Sequence, residues 1–412
     1  MQTALPPAVL DTPDGREADR ILRSCVHCGF CTAVCPTYQL LGNEMDGPRG
    51  RIYLIKQLLE GQPAGSETRL HLDRCLTCRA CEASCPSSTR YARLLDIGRE
   101  RLEATVRRPP KERMTRRLLR LLLLRPLLLR TAIAAGRLAA PLLPRRLRLQ
   151  LGRGRKGAVP PPVQGHRRMI LLRGCAQPAL APEIDAAAIR LLSGLGISLE
   201  ALPGSGCCGA LSHHLGAVEE GRALARRNIE CWSKALKDGA EGIIATASGC
   251  ALHLREYDWV MRGSGEEGAA AGVAGSVVDL AALLLDEAGD CLRRRDGVPQ
   301  RIAFQVPCTL QHGLGEAATV RRLLERAGFT LTEVREEHLC CGSAGSYSLL
   351  QPEIARSLLE CKLAALEQGG AELIATANIG CLLHLRGDSR LPVRHWLELI
   401  ELCPEGTGPG LS

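Results

Sequence analysis

The sequence predicts an α + α/β protein: a mainly helical N-terminal domain followed by two pseudo-symmetric α/β cysteine-rich subdomains. Three observations predict it. Two cysteine runs of identical spacing, both within the first ninety residues, flank a stretch of helical apolar periodicity. From about residue 168 the chain repeats itself, and each copy alternates short apolar runs with helical patterns. At 412 residues with 45% hydrophobic content, the chain exceeds what one core usually holds. We expect domains at residues 1–106, 168–290 and 291–412, with a basic, Leu/Arg-rich connecting segment at 107–167.

The first run places Cys25, Cys28, Cys31 and Cys35 before Pro36, and the second places Cys75, Cys78, Cys81 and Cys85 before Pro86. Both read C-x2-C-x2-C-x3-C-P, the iron–sulfur run of two-cluster ferredoxins, in which three thiolates hold one cluster and the fourth reaches its neighbour. The spacing therefore assigns one [4Fe–4S] cluster to Cys25, Cys28, Cys31 and Cys85, and a second to Cys75, Cys78, Cys81 and Cys35. Eight cysteines over-supply a zinc site, and no secretory signal announces the oxidising compartment that disulfides need. The 20 cysteines thus point to metal or redox use in a reducing, cytoplasmic setting. Aromatic residues are only 3%, which disfavours stacking-based nucleic-acid binding.

Taken in order, residues 1–20 read as a polar lead-in arm. Between the runs, Gly47-Pro48-Arg49-Gly50-Arg51 opens a helix that continues over 52–59 and stops at Gly61. Helices, not a ferredoxin β-sheet, are expected to frame the clusters. Arg49 and Arg51 are either cations offsetting thiolate charge or a solvated helix start. A helix around 94–99 closes the module before Pro109-Pro110. Residues 107–156 then carry 16 Lys and Arg against the single acid Glu112, interleaved with Leu118, Leu119, Leu121–Leu124 and Leu127–Leu129. No apolar run there reaches the ~20 residues that span a bilayer. Two readings stand: a basic amphipathic stretch that lies on the anionic inner face of the cytoplasmic membrane or covers a partner, and an interdomain hairpin whose arginines face water. One basic segment without a recognisable module is weak support for nucleic-acid binding, and no nucleic-acid partner is expected. Pro160-Pro161-Pro162 marks a linker.

The duplication has Cys175, Cys207-Cys208-Gly209 and Gly249-Cys250 in one copy, and Cys308, Cys340-Cys341-Gly342 and Gly380-Cys381 in the other. In both copies 31 residues separate the single cysteine from the pair. In the first copy the alternating segments are 169–172, 184–192, 197–202, 217–236 and 243–245, which argues small parallel sheets. A vicinal Cys-Cys-Gly suits metal or redox chemistry, because two thiols project from one turn and glycine lets backbone approach closely. Cys175, Cys207, Cys208, Cys250, Cys308, Cys340, Cys341 and Cys381 are therefore candidate metal ligands, the alternative being buried cysteines acting as small hydrophobes. Cys231, Cys291, Cys361 and Cys403 are read in that second way. His253 and His384 follow three residues after Cys250 and Cys381, as further ligands or as plain helix histidines.

Two ferredoxin runs followed by duplicated Cys-Cys-Gly domains resemble the iron–sulfur subunits of flavin-linked dehydrogenases and of heterodisulfide reductase. Within that group the chain is most similar to the glycolate oxidase (glycolate dehydrogenase) iron–sulfur subunit family, on residues 25–41, 46–57, 71–79, 174–178 and 376–381. The resemblance implies an oxidoreductase complex in which flavin-containing glycolate oxidase subunits, carrying FAD, convert glycolate to glyoxylate and pass electrons through this subunit to a quinone-type acceptor. An additional iron–sulfur or zinc centre in the repeats is left open by the candidate cysteines themselves, not given by the resemblance. One departure matters: where heterodisulfide reductase domains close on C-x2-C, this chain has Cys250-Ala251-Leu252-His253 and Cys381-Leu382-Leu383-His384, which puts a cluster of that type in doubt. No strand–G-x-G-x-x-G–helix unit is present, so no catalytic residue is assigned and the chain is not expected to oxidise substrate alone. The alternatives are the same relay in a D-lactate or glycerol 3-phosphate dehydrogenase, and a disulfide reductase built on the repeats.

Overall fold

The structure, a computed structural model, describes residues 1–139 and 167–403. The linker expected at 160–162 and residues 140–156 of the basic stretch lie outside the described residues. The chain divides into two compact units: Met1–Leu119 with Leu211–Glu219 and His338–Lys362, and Arg120–Ala210 with Glu220–Glu337 and Leu363–Ser412.

The first unit is helical, and among the described residues no strand precedes Arg167. Helix α1 (Pro13–Ser24) starts where Thr12 accepts a hydrogen bond from the Gly15 amide at 3.0 Å, and it runs directly into Cys25. Ala18, Ile21 and Leu22 fall on one face at helical spacing and are buried. Helix α2 (Pro48–Leu59) begins with proline at its first turn, α3 is Ser66–Asp73, and α4 is Tyr91–Thr105. The α2 and α4 axes come close because Gly98 has no side chain: a Cβ there would stand 2.7 Å from Ile55. Leu94 and Leu95 of α4 are fully buried, so truncating either to alanine costs roughly 2–5 kcal/mol. These helices carry the two cysteine runs on their connecting loops.

The basic stretch forms α5 (Pro110–Leu123) and α6 (Pro126–Leu138), separated at the residue before Pro126. Its arginines do not all face water. Arg108 and Arg116 are buried in the first unit, Arg108 bridging Asp73, Glu103 and Glu112, and Arg116 reaching Asp73 at 3.3 Å and Glu112 at 3.1 Å. The leucines divide too: Leu129 is buried, whereas Leu118, Leu121, Leu127, Leu128 and Leu138 are exposed.

The second unit holds three sheets. Strands β1 (Arg167–Leu171), β2 (Ile197–Glu200) and β3 (Ile243–Ile244) form a parallel sheet in the order β2-β1-β3, with Ile170 opposite Ile243. Helix α7 (Pro182–Gly194) links β1 to β2; in the sequence between β2 and β3 come α8 (Ala210–His214), which from Leu211 belongs to the first unit, and α9 (Val218–Lys237). After α10 (Ser248–Arg255), β4 (Leu292–Arg294) pairs antiparallel with the last strand, β9 (Ile400–Leu402). Strands β5 (Arg301–Gln305), β6 (Thr330–Leu331), β7 (Leu373–Thr376) and β8 (Val393–His395) form a parallel sheet in the order β6-β5-β7-β8. Its first three strands repeat the order of the first sheet, as the sequence duplication demands. Helices α11 (Ala317–Arg326), α12 (Pro352–Glu367) and α13 (Ile379–Arg386) complete the second copy in sequence, α12 belonging to the first unit as far as Lys362. The apolar segments predicted at 169–172, 197–202 and 243–245 are these strands, and those at 184–192 and 217–236 are α7 and α9. Trp232 and Tyr257 are fully buried and anchor the core over β1 and β3 with Ile170, Ile229, Ile243 and Met261. Within this unit the copies touch through the Ser248 amide, which donates to the Ala377 carbonyl at 3.1 Å.

Candidate metal centre

Each cysteine run adopts the same strained loop. In the first, His27 and Gly29 have φ of 57° and 88°; in the second, the corresponding Thr77 and Arg79 have 55° and 62°. This left-handed conformation is uncommon for any residue but glycine and an outlier for β-branched threonine, so the surroundings must hold it. Its effect is to fold the backbone around the thiols: the Thr77 amide donates to Cys75 Sγ at 3.5 Å. A helical turn follows in each run, Phe30–Ala33 and Ala80–Ala83, before the fourth cysteine.

The thiols collect in two voids. Cys25, Cys28, Cys31, Cys81 and Cys85 line one. Cys35, Cys75, Cys78 and Cys81 line the other. Burial, then the neighbouring Cys25, Cys28 and Cys85, push the Cys31 thiol up to about 11. Burial, then Cys78, Cys75, Glu82 and Cys35, likewise push Cys81 well up. Four thiols so placed can lose their protons together only against strong cationic charge, which iron supplies. The donor set fits a sulfur-ligated iron cluster in each void.

Charge and hydrogen bonding around the voids differ. Arg49 lines the first and pairs with Glu44 at 2.6 Å while remaining 40% exposed. Arg51 lines the second and is 1% exposed; its Nε donates to the His71 carbonyl at 2.8 Å, its Nη1 to Thr37 Oγ1 at 3.1 Å, and its Nη2 stands 3.6 Å from Asp46. Although burial works against the charge, the thiols of Cys75 and Cys35, Tyr91 and Asp46 hold the guanidinium protonated. Asp46 is itself buried and clasped by His71 at 2.9 Å and Arg74 at 2.9 Å. The Tyr91 hydroxyl donates to Cys75 Sγ at 3.6 Å, and that of Tyr347 to the Arg74 carbonyl at 2.9 Å. Sequence reasoning missed Asp46, Tyr91 and Tyr347 as part of this environment. Asp46 lies in the 46–57 stretch that carries the family resemblance, which was the available signal; the tyrosines had none.

In the first repeat the four candidate cysteines come together: Cys175 interacts with Cys207, Cys207 with Cys208, and Cys208 with Cys250, and the thiols of Cys175, Cys207 and Cys208 are pushed up. The pair lies in the loop after β2. Gly209 follows with φ 94°, its amide donating to Cys207 Sγ at 3.4 Å, and a Cβ there would stand 2.7 Å from the Gly221 carbonyl oxygen. Gly342 repeats this in the other copy, with φ 87° and a 3.4 Å bond to Cys340 Sγ, and a Cβ on it would stand only 2.6 Å from the Ala355 carbonyl oxygen. Only glycine fits either turn. Cys340 and Cys341 are buried in the first unit; Cys308 and Cys381 belong to the second, where Asn378 Nδ2 donates to Cys381 Sγ at 3.8 Å. His253 packs edge-on to Tyr257, with 5.8 Å between ring centroids. Cys361 departs from expectation: it is exposed, on the outward face of α12.

A family described as 4Fe-4S dicluster domain matches residues 21–89, and one described as cysteine-rich domain matches residues 170–255 and 302–386. Fold and site thus define an iron–sulfur electron-transfer subunit of an oxidoreductase complex, a class that works with flavin-containing partner subunits. The glycolate oxidase iron-sulfur subunit of Escherichia coli (strain K12) is 49% identical over 98% of this chain and 100% of its own length. The probable glycolate oxidase iron-sulfur subunit of Bacillus subtilis (strain 168) is 30% identical over 89% of this chain and 88% of its own. Lactate utilization protein A of Bacillus licheniformis is 25% identical over 52% of this chain and 88% of its own. The chain belongs to the glycolate oxidase iron–sulfur subunit family. No described helix is long and apolar enough to cross a membrane.

Proposed function

We propose that the chain relays electrons in a flavin-linked glycolate-oxidising complex, from FAD on a partner subunit to a quinone-type acceptor, with Cys25, Cys28, Cys31 and Cys85 holding one [4Fe–4S] cluster and Cys75, Cys78, Cys81 and Cys35 the other. The observation that carries this reading is the gathering of the eight thiols around two voids, in each of which three cysteines of one run meet the fourth of the other, with Cys81 lining both. When bound, the clusters supply one-electron carriers that a two-electron flavin can unload onto. Around them the chain excludes water from Cys35, Cys75 and Cys81 while leaving Cys28 exposed. Beside Cys28, Val26 and Phe30 are 68% and 63% exposed, an apolar rim suited to docking the flavoprotein near the first void. Substrate identity rests on the likeness to the glycolate oxidase subunits.

The test is anaerobic isolation of the tagged chain with its partners, followed by quinone reduction with glycolate, D-lactate and glycerol 3-phosphate in parallel. Glycolate-driven reduction that disappears in Cys28→Ala and Cys78→Ala is expected. Turnover of another substrate alone would overturn the glycolate assignment and leave the relay. Iron near eight per chain fits clusters in the two voids alone; a substantial excess of iron would mark Cys175, Cys207, Cys208 and Cys250, with Cys308, Cys340, Cys341 and Cys381, as further metal sites.

The described part of the 107–156 stretch supports peripheral contact with the inner face of the cytoplasmic membrane. Leu118, Leu121, Leu127, Leu128 and Leu138 are exposed among basic residues, the composition that binds anionic lipid headgroups. Co-sedimentation with anionic but not neutral vesicles, lost in Leu118→Asp/Leu121→Asp, is the expected result; equal partitioning to both vesicle types would overturn it.

A further inference from the structure

We propose that Asp96, His213 and His214 bind a single divalent transition-metal ion, zinc in the first instance, separate from the iron–sulfur cysteines. Asp96 lies on α4, and the two histidines end α8; all three belong to the first unit. One ligand atom from each falls within 4.8 Å of the others, and no ion is present there. Bonds of about 2.0–2.1 Å in a tetrahedral site would set these atoms roughly 3.4 Å apart, so closure asks for side-chain shifts of about 1 Å.

Consecutive helical residues ordinarily diverge by about 100° and do not share a target. Here the helix ends at His214, and the two rings turn to the same side, edge to face at 73° with centroids 5.5 Å apart. The convergence of both imidazoles on one carboxylate is more than a single hydrogen-bonded Asp–His pair requires. They border a cavity of about 20 Å³, room for one water-sized body such as a single ion.

Five other charges lining that cavity, Asp73, Glu103, Arg99, Arg108 and Arg116, have partners outside the trio. Arg108 and Arg116 bind Asp73, Glu103 and Glu112. Arg99 donates to the Leu72 and Cys75 carbonyls at 2.8 and 2.9 Å and to Thr77 Oγ1 at 3.1 Å. Glu100, one turn beyond Asp96, stands on the same helix face as a further oxygen donor or water anchor. Two imidazoles, one carboxylate and an open fourth position form a borderline-soft set that suits zinc better than calcium or magnesium. The bound ion would tie Leu211–Glu219 to α4 and, through Arg99, brace the loop of the second cysteine run.

The experiment uses the intact chain purified anaerobically, incubated with zinc and desalted, with zinc and iron measured on the same sample. About one zinc per chain is expected, lost in Asp96→Ala and in His213→Ala/His214→Ala, with iron unchanged. Zinc retained by both variants, or no zinc in the wild type, overturns the proposal. Should the variants lose iron as well, cobalt loaded into the wild-type protein decides: visible ligand-field bands without thiolate-to-cobalt charge transfer support a nitrogen and oxygen site, and thiolate charge transfer overturns it by placing the metal among cysteines.

Discussion

The two cysteine runs share spacing, backbone conformation and the turn that follows, yet they sit in different surroundings. Around the first, Cys28 is exposed and the nearby cation, Arg49, is half in solvent. Around the second, Cys75 and Cys81 are buried, and the cation is Arg51, sealed from water with Asp46, His71 and Thr37. Identical ligand chemistry in unlike dielectric and hydrogen-bonding settings gives unlike potentials. The run motif therefore fixes what binds, while residues outside it fix how each centre behaves.

The sharpest way to break the comparison is to remove one ligand from each void. Cys75→Ala and Cys28→Ala both abolish substrate-driven acceptor reduction, but added small thiol restores iron and activity only to Cys28→Ala, because its site is open to solvent. Anaerobic iron analysis with and without 2-mercaptoethanol reads this directly. Equal rescue of both would show that the second void is as accessible as the first.

Next in size is the pair of arginines. Arg51→Leu leaves Asp46 its bonds from Arg74 and His71, but it strips the buried His71 carbonyl and Thr37 hydroxyl of their charged donor and costs about 2–4 kcal/mol. Arg49→Leu removes an exposed pair worth under about 1 kcal/mol. Thermal melts of the iron-loaded chain should separate the two variants clearly, and similar melting temperatures would refute the burial argument.

The two repeats offer a parallel contrast. Thr246 of the first donates to Asp185 at 2.8 Å, whereas Thr376 of the second donates to Gln305 at 2.7 Å. Burial pushes Asp185 up to about 6, above its ordinary value of 3.8. A raised carboxyl binds its proton more tightly folded than unfolded, so stability is full below about pH 4 and falls by about 3 kcal/mol as pH rises through 6. Asp185→Asn, keeping an acceptor for Thr246, should flatten the melting temperature between pH 4 and 7.5 and raise it at the upper end. An unchanged pH profile would rule the carboxyl out as its source.

Tyr91→Phe is smaller again. It removes the 3.6 Å hydrogen bond to Cys75, costs about 1 kcal/mol, and should lower the potential of the second cluster without moving the first. Redox titration followed by electron paramagnetic resonance distinguishes one moving signal from two.

Much of this was legible in the chain. Cysteine spacing grouped three thiols of one run with the fourth of the other, the Gly47–Arg51 stretch announced the helix between the runs, and the alternating apolar runs of the duplicated region announced small parallel sheets, though not their strand order. What stayed hidden depends on packing between distant segments. Nothing local tells Arg51 from Arg49; they separate only when α3 delivers the His71 carbonyl and the turn before α2 delivers Asp46. Tyr91 looks like an ordinary helix start until the fold turns its hydroxyl to Cys75. Asp96 and His213 are far apart in sequence and carry no shared motif. Cys361 has the composition of a buried residue, while the face of α12 on which it falls is set by tertiary contacts.

The smallest contrast concerns the strained loops themselves. His27 and Thr77 occupy corresponding positions with φ of 57° and 55°, a conformation costing a non-glycine residue about 1–2 kcal/mol. Glycine relieves that cost but gives back some of it through its freer unfolded chain. For His27→Gly the balance is a gain of up to about 1 kcal/mol. Thr77→Gly gains more, since a β-branched residue is least suited to this region, but it also forfeits the bond from Arg99 at 3.1 Å, worth about 1 kcal/mol, so the two effects nearly cancel. A melting temperature raised by a few degrees in His27→Gly and unmoved in Thr77→Gly would show that the second loop is held by its neighbours and the first by its own backbone.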